Sequence, residues 1–442
     1  MRKIAFVRVS HKDYLSDVPK KIIEGALKIA RDANIDILLS HGPLVDPIEA
    51  RNFGYKICSE NVDGVIIFFD SWSEPSVAMA LVQEIKYLPI ALWGFPMFEY
   101  KGSLESTGSF VGFTVFAAAL KRLDIKYKYI YGLPKEKKIV KDVLGFINTA
   151  VVLKSLRATR MGFVGYSAMS IYSGTFDHLL LRGLIGPEVV QIDTYSLIRI
   201  ADGANKNQYG QFLNNVKKYA KIAEDIKNDC LEKEGRIYFA IKELIKLYNL
   251  DSINIKCQYE FSQEYKCIPC PALSLIAEEG IVTGCEGDVL TTISQVILHH
   301  ISGQIITYGD VLNVQEGEVI FSACGFAPYS LAQDPDKVKL CDIGYTGFSG
   351  PIVSLVLKKG KVTFMRLGEK KGGFIMSIGT GEGKDSELRQ GKFPALRFKI
   401  NGTQDKFLNL LSAQHFALCY GDYTNELVDL CNFLNIEYFL VD

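Results

Sequence analysis

Two acidic residues and one histidine, far apart in the chain, carry the chemistry that the sequence indicates most strongly. Glu286 follows the short apolar segment 281–285 and precedes a predicted helix, and Asp310 ends the predicted strand 305–310. His415 lies in the run 414–420 and is the one histidine after His300. Two carboxylates at element ends and one imidazole are typical of a hard, open divalent-metal site. We expect these three side chains to meet at one Mn²⁺ or Mg²⁺ ion.

Each of these residues also has an ordinary structural interpretation. A Glu-Gly-Asp sequence before a helix is usually a cap, and Asp288 suits that position with its acceptor and its negative charge. Asp310 is equally a turn residue, and His415 is equally a satisfied core histidine. The residues that flank Glu286 and Asp310 are apolar or small. Unpaired carboxylates are costly in such surroundings unless a cation or hydrogen bonds compensate their charge, and this favours the metal interpretation. The residues alone leave both interpretations open.

Charge and hydropathy exclude several classes of protein. Lys plus Arg and Asp plus Glu number 50 each, and no basic run stands out. This argues against nucleic acid or an anionic membrane as the main partner. No apolar run approaches the ~18 residues of a membrane helix, and the first residues lack the pattern of a secretion signal. We therefore expect a cytoplasmic protein.

Ten cysteines are present, and in a cytoplasmic protein they should be reduced. Cys267 and Cys270 have the spacing of a zinc or redox pair, but no second pair follows at zinc-ribbon spacing. Buried thiols that line the approach to Glu286 are the favoured interpretation, and a zinc or redox role is the alternative.

Nucleotide binding is disfavoured. The first predicted βα turn, 10–13, reads Ser-His-Lys-Asp and lacks the glycines that let a pyrophosphate approach a helix N-terminus. The glycine-rich segment 379–384 lacks P-loop spacing, and we interpret it as a flexible loop.

The elements that must position the site fall into three regions of an α/β fold. Short strands alternate with helices over 1–158, which predicts a doubly wound parallel sheet, and the rhythm repeats over 159–303 with a helix at about 205–231. From 304 to 442 short strands are split by Gly and Lys, including a hairpin turn at 358–361, which predicts a β-rich antiparallel region.

Several motifs resemble the L-fucose isomerase-like family, across nearly the whole chain. The most specific is Cys-Glu-Gly-Asp at 285–288. The others are 161–163, 169–172, 189–193, 270–274, 322–325 and 415–422. The resemblance implies two Rossmann-like N-terminal domains followed by a barrel-like C-terminal domain. It also implies an Mn²⁺ site with one Glu, one Asp and one His, with Mg²⁺ or Co²⁺ as substitutes.

The family's ligands map onto Glu286, onto Asp310 at 24 residues further on, and onto His415. The arabinose isomerases use a second Glu and two histidines, so Asp310 favours the fucose-like set. Gln414 stands where the fucose enzymes are expected to carry Asn, Ala323 stands where many relatives have His, and the β region is shorter. These departures leave the sugar open.

The resemblance and the residues predict the same reaction, an aldose–ketose isomerisation through a cis-enediol. The metal would stabilise enediolate charge, with Glu286 and Asp310 as the acid/base pair. Arg8, Trp93, Tyr172 and Gln414 are candidates for sugar contacts. The predicted substrate is a free monosaccharide of the fucose or arabinose type; the alternatives are a modified aldose, such as a sulfonated or deoxy sugar, and a non-catalytic sugar-binding protein. The family also implies a trimer or hexamer with sites near subunit interfaces.

Overall fold

The computed structural model describes residues 2–14, 19–345 and 347–441. The chain forms two compact units: Met1–Lys154 with Asn425–Asn435, and Ser155–Thr424 with Ile436–Asp442. Within the described ranges, none of the helices is long and apolar enough to cross a membrane.

The first unit contains a parallel sheet with helices on both faces. Strands and helices over residues 3–158 are β1 (Lys3–Val9), α1 (Lys20–Asp32), β2 (Asp36–Leu39), α2 (Pro47–Ser59), β3 (Gly64–Phe69), α3 (Pro75–Ile85), β4 (Ile90–Gly94), β5 (Phe98–Tyr100), β6 (Ser103–Glu105), α4 (Ser109–Arg122), β7 (Lys128–Tyr131) and α5 (Lys137–Ala158). The sheet order is β2-β1-β3-β4-β7. In β1, Ile4 and Phe6 pack on one face with α1 and α5, while Ala5 and Val7 pack on the other with α2, α3 and α4.

A second parallel sheet has the order β12-β11-β8-β9. The elements of this region are β8 (Arg160–Val164), α6 (His178–Leu184), β9 (Glu188–Ile192), α7 (Thr194–Gly203), α8 (Lys206–Tyr209), α9 (Gln211–Val216), β10 (Lys221–Ile222), α10 (Asn228–Tyr248), β11 (Ser252–Ile255), α11 (Cys270–Glu278), β12 (Val282–Cys285) and α12 (Val289–Ser302). The continuous helix predicted for 205–231 is wrong, because residues 221–222 leave the helix to pair with the strand at 339–342.

The last region is rich in antiparallel strands, as predicted. Its elements are β13 (Thr307–Gln315), β14 (Glu318–Ser322), β15 (Lys339–Asp342), β16 (Pro351–Ser354), β17 (Lys361–Lys370), β18 (Gly373–Lys384), β19 (Ala395–Ile400), α13 (Gln404–Leu410), β20 (His415–Tyr420), α14 (Thr424–Leu434) and β21 (Glu437–Val441). The strand order β17-β20-β13-β14-β19-β18 closes on itself, because β18 also pairs with β17. These antiparallel strands therefore form a barrel, to which β21 adds in parallel.

Two expectations about turns in this region are wrong. Residues 379–384 lie within β18 and are not a flexible loop. Glycine is required there for close packing, since a Cβ at Gly379 would lie 2.2 Å from the Phe364 ring and one at Gly381 would lie 2.7 Å from the Lys399 carbonyl oxygen. The predicted hairpin turn at 358–361 does not join two paired strands, because β17 turns back at 371–372 to pair with β18.

The boundary predicted at residue 303 lies inside the second compact unit. Helix α12 is buried along most of its length and packs against β12 on one side and against β17 and β20 of the barrel on the other. This shared helix brings the end of the second parallel sheet next to the barrel.

Candidate functional site

The three predicted metal ligands lie together in the second unit. Asp310 on β13 is the direct cross-strand partner of His415 on β20, and Glu286 follows the last residue of β12. The His415 Nε2 atom lies 3.3 Å from Asp310 Oδ1 and 3.5 Å from Glu286 Oε2. Antiparallel pairing of β13 with β20 therefore accounts for the contact between His415 and Asp310. Packing of the second parallel sheet against the barrel accounts for the contact between His415 and Glu286.

The turn that presents Glu286 has an unusual backbone. Glu286 has φ +63° and Gly287 has φ +70°, so two consecutive residues are left-handed. A Cβ at Gly287 would lie 2.3 Å from the Tyr166 carbonyl oxygen, and the Glu286 carbonyl accepts a hydrogen bond from Ala168 N at 3.3 Å. A non-glycine residue in this conformation is uncommon, and such strain often occurs at functional sites. The turn is thus fixed by its contact with the loop after β8.

Asp288 has a second role besides the helix cap that the sequence predicts. Its Oδ1 atom accepts a hydrogen bond from Thr291 N at 3.0 Å, which is the cap of α12. Its Oδ2 atom lies 2.9 Å from His415 Nδ1 and accepts a hydrogen bond from Arg366 Nη1 at 2.7 Å. Asp288 therefore orients the imidazole from the side opposite Glu286 and Asp310.

Arg366, on β17, is a site residue that sequence reasoning missed. It has no exposed surface, and besides Asp288 it donates a hydrogen bond to the Ser173 carbonyl. Ser173 Oγ in turn donates to Gln414 Oε1 at 3.2 Å. The available signal was an arginine within the apolar run 362–367, which requires a buried acceptor.

Cys324 holds the other side of Glu286. Its Sγ atom lies 3.1 Å from Glu286 Oε1, and burial raises the pKa of the Cys324 thiol well above its usual value, so the protonated thiol is the hydrogen-bond donor. The favoured interpretation had placed Cys267 and Cys270 near Glu286. Both are buried free thiols. Cys267 contacts Glu234 Oε1 at 3.3 Å. Burial and, to a smaller extent, the charge of Glu286 raise the pKa of the Cys270 thiol, so Cys270 lies near the site as expected, while Cys324 makes the hydrogen bond to Glu286.

The charges of the site are strongly coupled. Burial would lower the pKa of His415, but contacts with Asp288, Asp310 and Glu286 raise it well above its usual value. Burial would raise the pKa of Glu286, yet His415 and the Cys324 thiol hold it below its usual range. Burial would likewise raise the pKa of Asp288, but the Arg366 charge and His415 hold it far below the normal range.

The hydrogen-bond network assigns a proton on His415 Nδ1 to the bond with Asp288. The Nε2 atom then faces two carboxylate oxygens. A lone pair in that position would be repelled by both of them. The arrangement is therefore stable only with a positive charge at Nε2, either a proton or a metal cation.

The side chains around His415 are of the types that bind a divalent metal ion. In the part of the chain that the structure describes, no group of three or more His, Cys, Asp or Glu side chains has the arrangement of a metal-ion cage as it stands. The observed contacts are those of an imidazolium between carboxylates. The chemistry of the donors nevertheless fits a hard cation such as Mn²⁺, and Asp288 behind the histidine is the carboxylate that commonly orients an imidazole ligand.

The predicted sugar-contacting residues are divided between the two units. In the first unit, Trp93 has no exposed surface, its Nε1–H donates to the Gly132 carbonyl at 3.0 Å, and its ring packs edge-on against Phe68. It is a core residue without a free face for a sugar, which corrects the expectation. The Arg8 Nε donates to Asp70 at 2.9 Å.

In the second unit, Tyr172 is 83% exposed and lines a cleft of about 320 Å³ with Ser173 and the β17–β18 turn. Gln414 precedes His415 and is held by the Ser173 hydroxyl. These two residues are connected to the acidic cluster through Ser173, whose carbonyl accepts from Arg366.

The chain is similar to proteins named sulfoquinovose isomerase. It is 25% identical to the one from Priestia megaterium over 396 residues, 88% of each chain. It is 24% identical to the one from Alkalicoccus urumqiensis over 362 residues, 79% of this chain and 80% of the relative. No family model matches. A periplasmic solute-binding protein from Actinobacillus succinogenes with bound D-allose covers 69% of this chain and 93% of its own, at 10% identity, but the TM-score of 0.19 carries no argument.

Proposed function

We propose that this protein is a metal-dependent aldose–ketose isomerase whose substrate is a sulfonated aldose. The observation that carries the proposal is the approach of Glu286 and Asp310 to one nitrogen of His415, whose other nitrogen contacts Asp288. The relatives' names support the reaction and favour a modified aldose over the unmodified fucose or arabinose that the motifs indicated. Sulfoquinovose is a glucose in which a sulfonate replaces the 6-hydroxyl group.

Isomerisation moves one proton between C1 and C2 of the sugar through a cis-enediol, so the site needs a base and an acid within reach of the substrate. The side chains of Asp310 and Glu286 are 29% and 14% exposed, whereas that of Asp288 is 1% exposed. Glu286 and Asp310 are therefore the carboxylates that a sugar can contact, and we assign them as the acid/base pair.

Mn²⁺, or Mg²⁺ or Co²⁺ in its place, would be held by Glu286, Asp310 and His415 and would stabilise negative charge on the substrate oxygens when bound. The other residues orient these three. Asp288 holds the imidazole, Arg366 compensates the charge of Asp288, and Cys324 holds one oxygen of Glu286 while the second oxygen faces His415. An acid/base pair needs such support, because a small misplacement lowers the rate strongly.

The direct test is to incubate the Mn²⁺-loaded protein in D₂O with a panel of aldoses and to follow C2 deuteration and ketose formation by NMR. The panel contains sulfoquinovose, its neutral 6-deoxy counterpart, fucose and arabinose. We expect exchange with sulfoquinovose above all. Binding of a sugar without exchange would contradict the isomerase and would favour the non-catalytic sugar-binding alternative.

We also propose that the protein is a homo-oligomer, a trimer or hexamer, with sites near the subunit interfaces, as the family resemblance implies. Light scattering after size-exclusion chromatography tests the assembly, and a monomer at micromolar concentration would contradict it.

A further inference from the structure

Arg389 lies next to the strand that carries the site. Its Nε donates to Ser322 Oγ at 2.9 Å, and Ser322 is the cross-strand partner of Asp310. Its Nη2 lies 3.5 Å from the Ala323 carbonyl oxygen, and the next residue, Cys324, contacts Glu286. The guanidinium therefore contacts Ser322, which is paired with Asp310 across the sheet. It also lies near Ala323, which precedes the cysteine that contacts Glu286.

Most of the donor capacity of Arg389 is not used by short hydrogen bonds. A guanidinium has five N–H donors, and only the Nε bond is short. Its Nη1 lies 3.5 Å from Tyr345 Oη and 3.4 Å from Gln390 Oε1, at the outer limit of hydrogen bonding. Among the described residues all these partners are neutral. The Nη1 and Nη2 groups can therefore still donate short hydrogen bonds to an anion.

Aromatic packing fixes the position of this charge. The guanidinium lies 4.2 Å from the centroid of the buried Phe393 ring, which stacks on Tyr345 at 5.1 Å. A second cation is close, since Lys392 Nζ lies 5.5 Å from the same ring and donates to the carbonyl of Ile343. Two cations with neutral partners on one aromatic ring form a locally positive surface beside the site.

Three other cations near the second parallel sheet and the barrel differ in this respect. Arg366 is paired with Asp288, Lys256 with Glu260, and Lys370 with Glu437. Their charges are compensated within the protein. The Arg389 and Lys392 charges have no such compensation in the described ranges, which is the arrangement expected where the missing negative charge comes from a ligand.

We propose that Arg389, assisted by Lys392, binds the anionic substituent of the substrate, a sulfonate on the carbon most distant from C1. The inference rests on the proposed function and adds the residue that selects the sulfonated sugar. The Ser322 hydroxyl that accepts from Arg389 belongs to the cross-strand partner of Asp310, so the guanidinium lies beside the strand that carries one of the two acids. The planar fork of arginine matches two sulfonate oxygens as it does those of phosphate.

The test compares two sugars on two variants. Arg389→Met keeps an apolar stem over Phe393 and removes the charge, whereas Arg389→Lys keeps the charge and loses the fork. We expect Arg389→Met to lower kcat/KM for sulfoquinovose by about 10- to 100-fold, mainly through KM. The neutral 6-deoxy sugar should change by less than about twofold, and Arg389→Lys should recover part of the loss.

A matched control is Arg397→Met, which makes the same charge change on β19 at an exposed side chain 4.0 Å from Glu318. It should leave both sugars unchanged. Equal losses for the two sugars with Arg389→Met would identify a purely structural role and overturn the proposal. A selective loss with Lys371→Met, in the Tyr172 cleft, and none with Arg389→Met would place the anion elsewhere and also overturn it.

The failure of this inference can be told apart from failure of the proposed function. If no sugar undergoes C2 exchange with the wild-type protein, the isomerase proposal fails. Calorimetric titration with sulfoquinovose then still decides the role of Arg389. Weaker binding by Arg389→Met than by Arg397→Met supports anion recognition, and equal binding overturns it.

Discussion

Each of the two parallel sheets has charged groups beside the ends of its strands, and the charges are balanced differently in the two units. In the first unit, Arg8 on β1 and Asp70 after β3 form one bidentate pair, a cation and an anion that satisfy each other. In the second unit, Glu286, Asp288 and Asp310 surround one imidazole, and Arg366 is the single guanidinium bonded to the cluster among the described residues. The charges of the Arg8–Asp70 pair cancel, whereas the cluster around His415 has an excess of negative charge.

The pair in the first unit is neutral as a whole, whereas the cluster in the second unit has negative charge available for a cationic ligand. Burial raises the pKa of Asp70 to about 6, and Arg8 offsets only part of that effect. Burial would raise the pKa values of Glu286 and Asp288, but His415 and the Cys324 thiol lower that of Glu286, and Arg366 and His415 lower that of Asp288. Carboxylates that stay ionised and whose charge is not fully compensated can bind a further cation. The Arg8–Asp70 pair has no uncompensated negative charge for this purpose.

Removal of metal should have the largest effect. After dialysis against EDTA we expect C2 exchange to be lost, and added Mn²⁺ should restore it. Bound metal should also stabilise the protein by about 3–4 kcal/mol at 100- to 1,000-fold excess over Kd, measured as a shift in Tm. Asp310→Asn should remove the shift, whereas Asp70→Asn should keep it. Full activity in EDTA with the metal content verified as negligible would refute the metal site.

Glu286→Gln should come next, with a loss of exchange of about 10²–10⁴-fold. The amide keeps the size of the side chain but cannot take a proton. Asp70→Asn is the matched change at the first sheet, and it should leave kcat within about twofold. Circular dichroism must show both variants folded. Retained activity in Glu286→Gln would exclude its assigned role.

Asp288→Asn tests the group behind the imidazole. We expect metal affinity to fall by about 10- to 100-fold, because the amide no longer favours the required orientation and charge of His415. The variant also leaves the buried Arg366 guanidinium without its anionic partner, so we expect it to lower stability by about 3–5 kcal/mol, and circular dichroism must show it folded. Titration with Mn²⁺ followed by electron paramagnetic resonance measures the affinity, and an unchanged Kd would show that Asp288 acts only as a cap.

The pH dependence of stability tests the pair in the first unit and should leave the site in the second unit unaffected. The folded pKa of Asp70, about 6, lies above its ordinary value of 3.8, so the folded state binds the proton more tightly. The stabilisation is fully present below about pH 4 and is lost as the pH rises through about 6, by about 3 kcal/mol. Asp70→Asn should lack this slope. Urea unfolding of both proteins at pH 4–7 gives the difference, and parallel curves would contradict the raised pKa.

Some of the site followed from residue types and local pattern. An acid after an apolar segment and before a helix located Glu286, and an acid at the end of a predicted strand located Asp310, although β13 continues to Gln315 and Asp310 lies within it. The alternating strands and helices predicted parallel sheets, and the short Gly-split strands predicted the antiparallel region, because both patterns reflect which side of each element is buried. Trp93 was misplaced because an aromatic residue at a strand end is equally suited to a sugar face and to a core.

The residue types of the site, the order of the elements and their periodicity can be read from the amino-acid sequence, since each of these is encoded by residues close together in the chain. The three-dimensional fold was needed to show that Asp288 contacts His415, 127 residues away, and Arg366, 78 residues away. It was also needed to show that the hydrogen-bond partners of Arg389 are neutral although the acids are close. The physical reason is that charge compensation depends on distance in space. Local sequence pattern does not record which elements a barrel and a shared helix bring into contact.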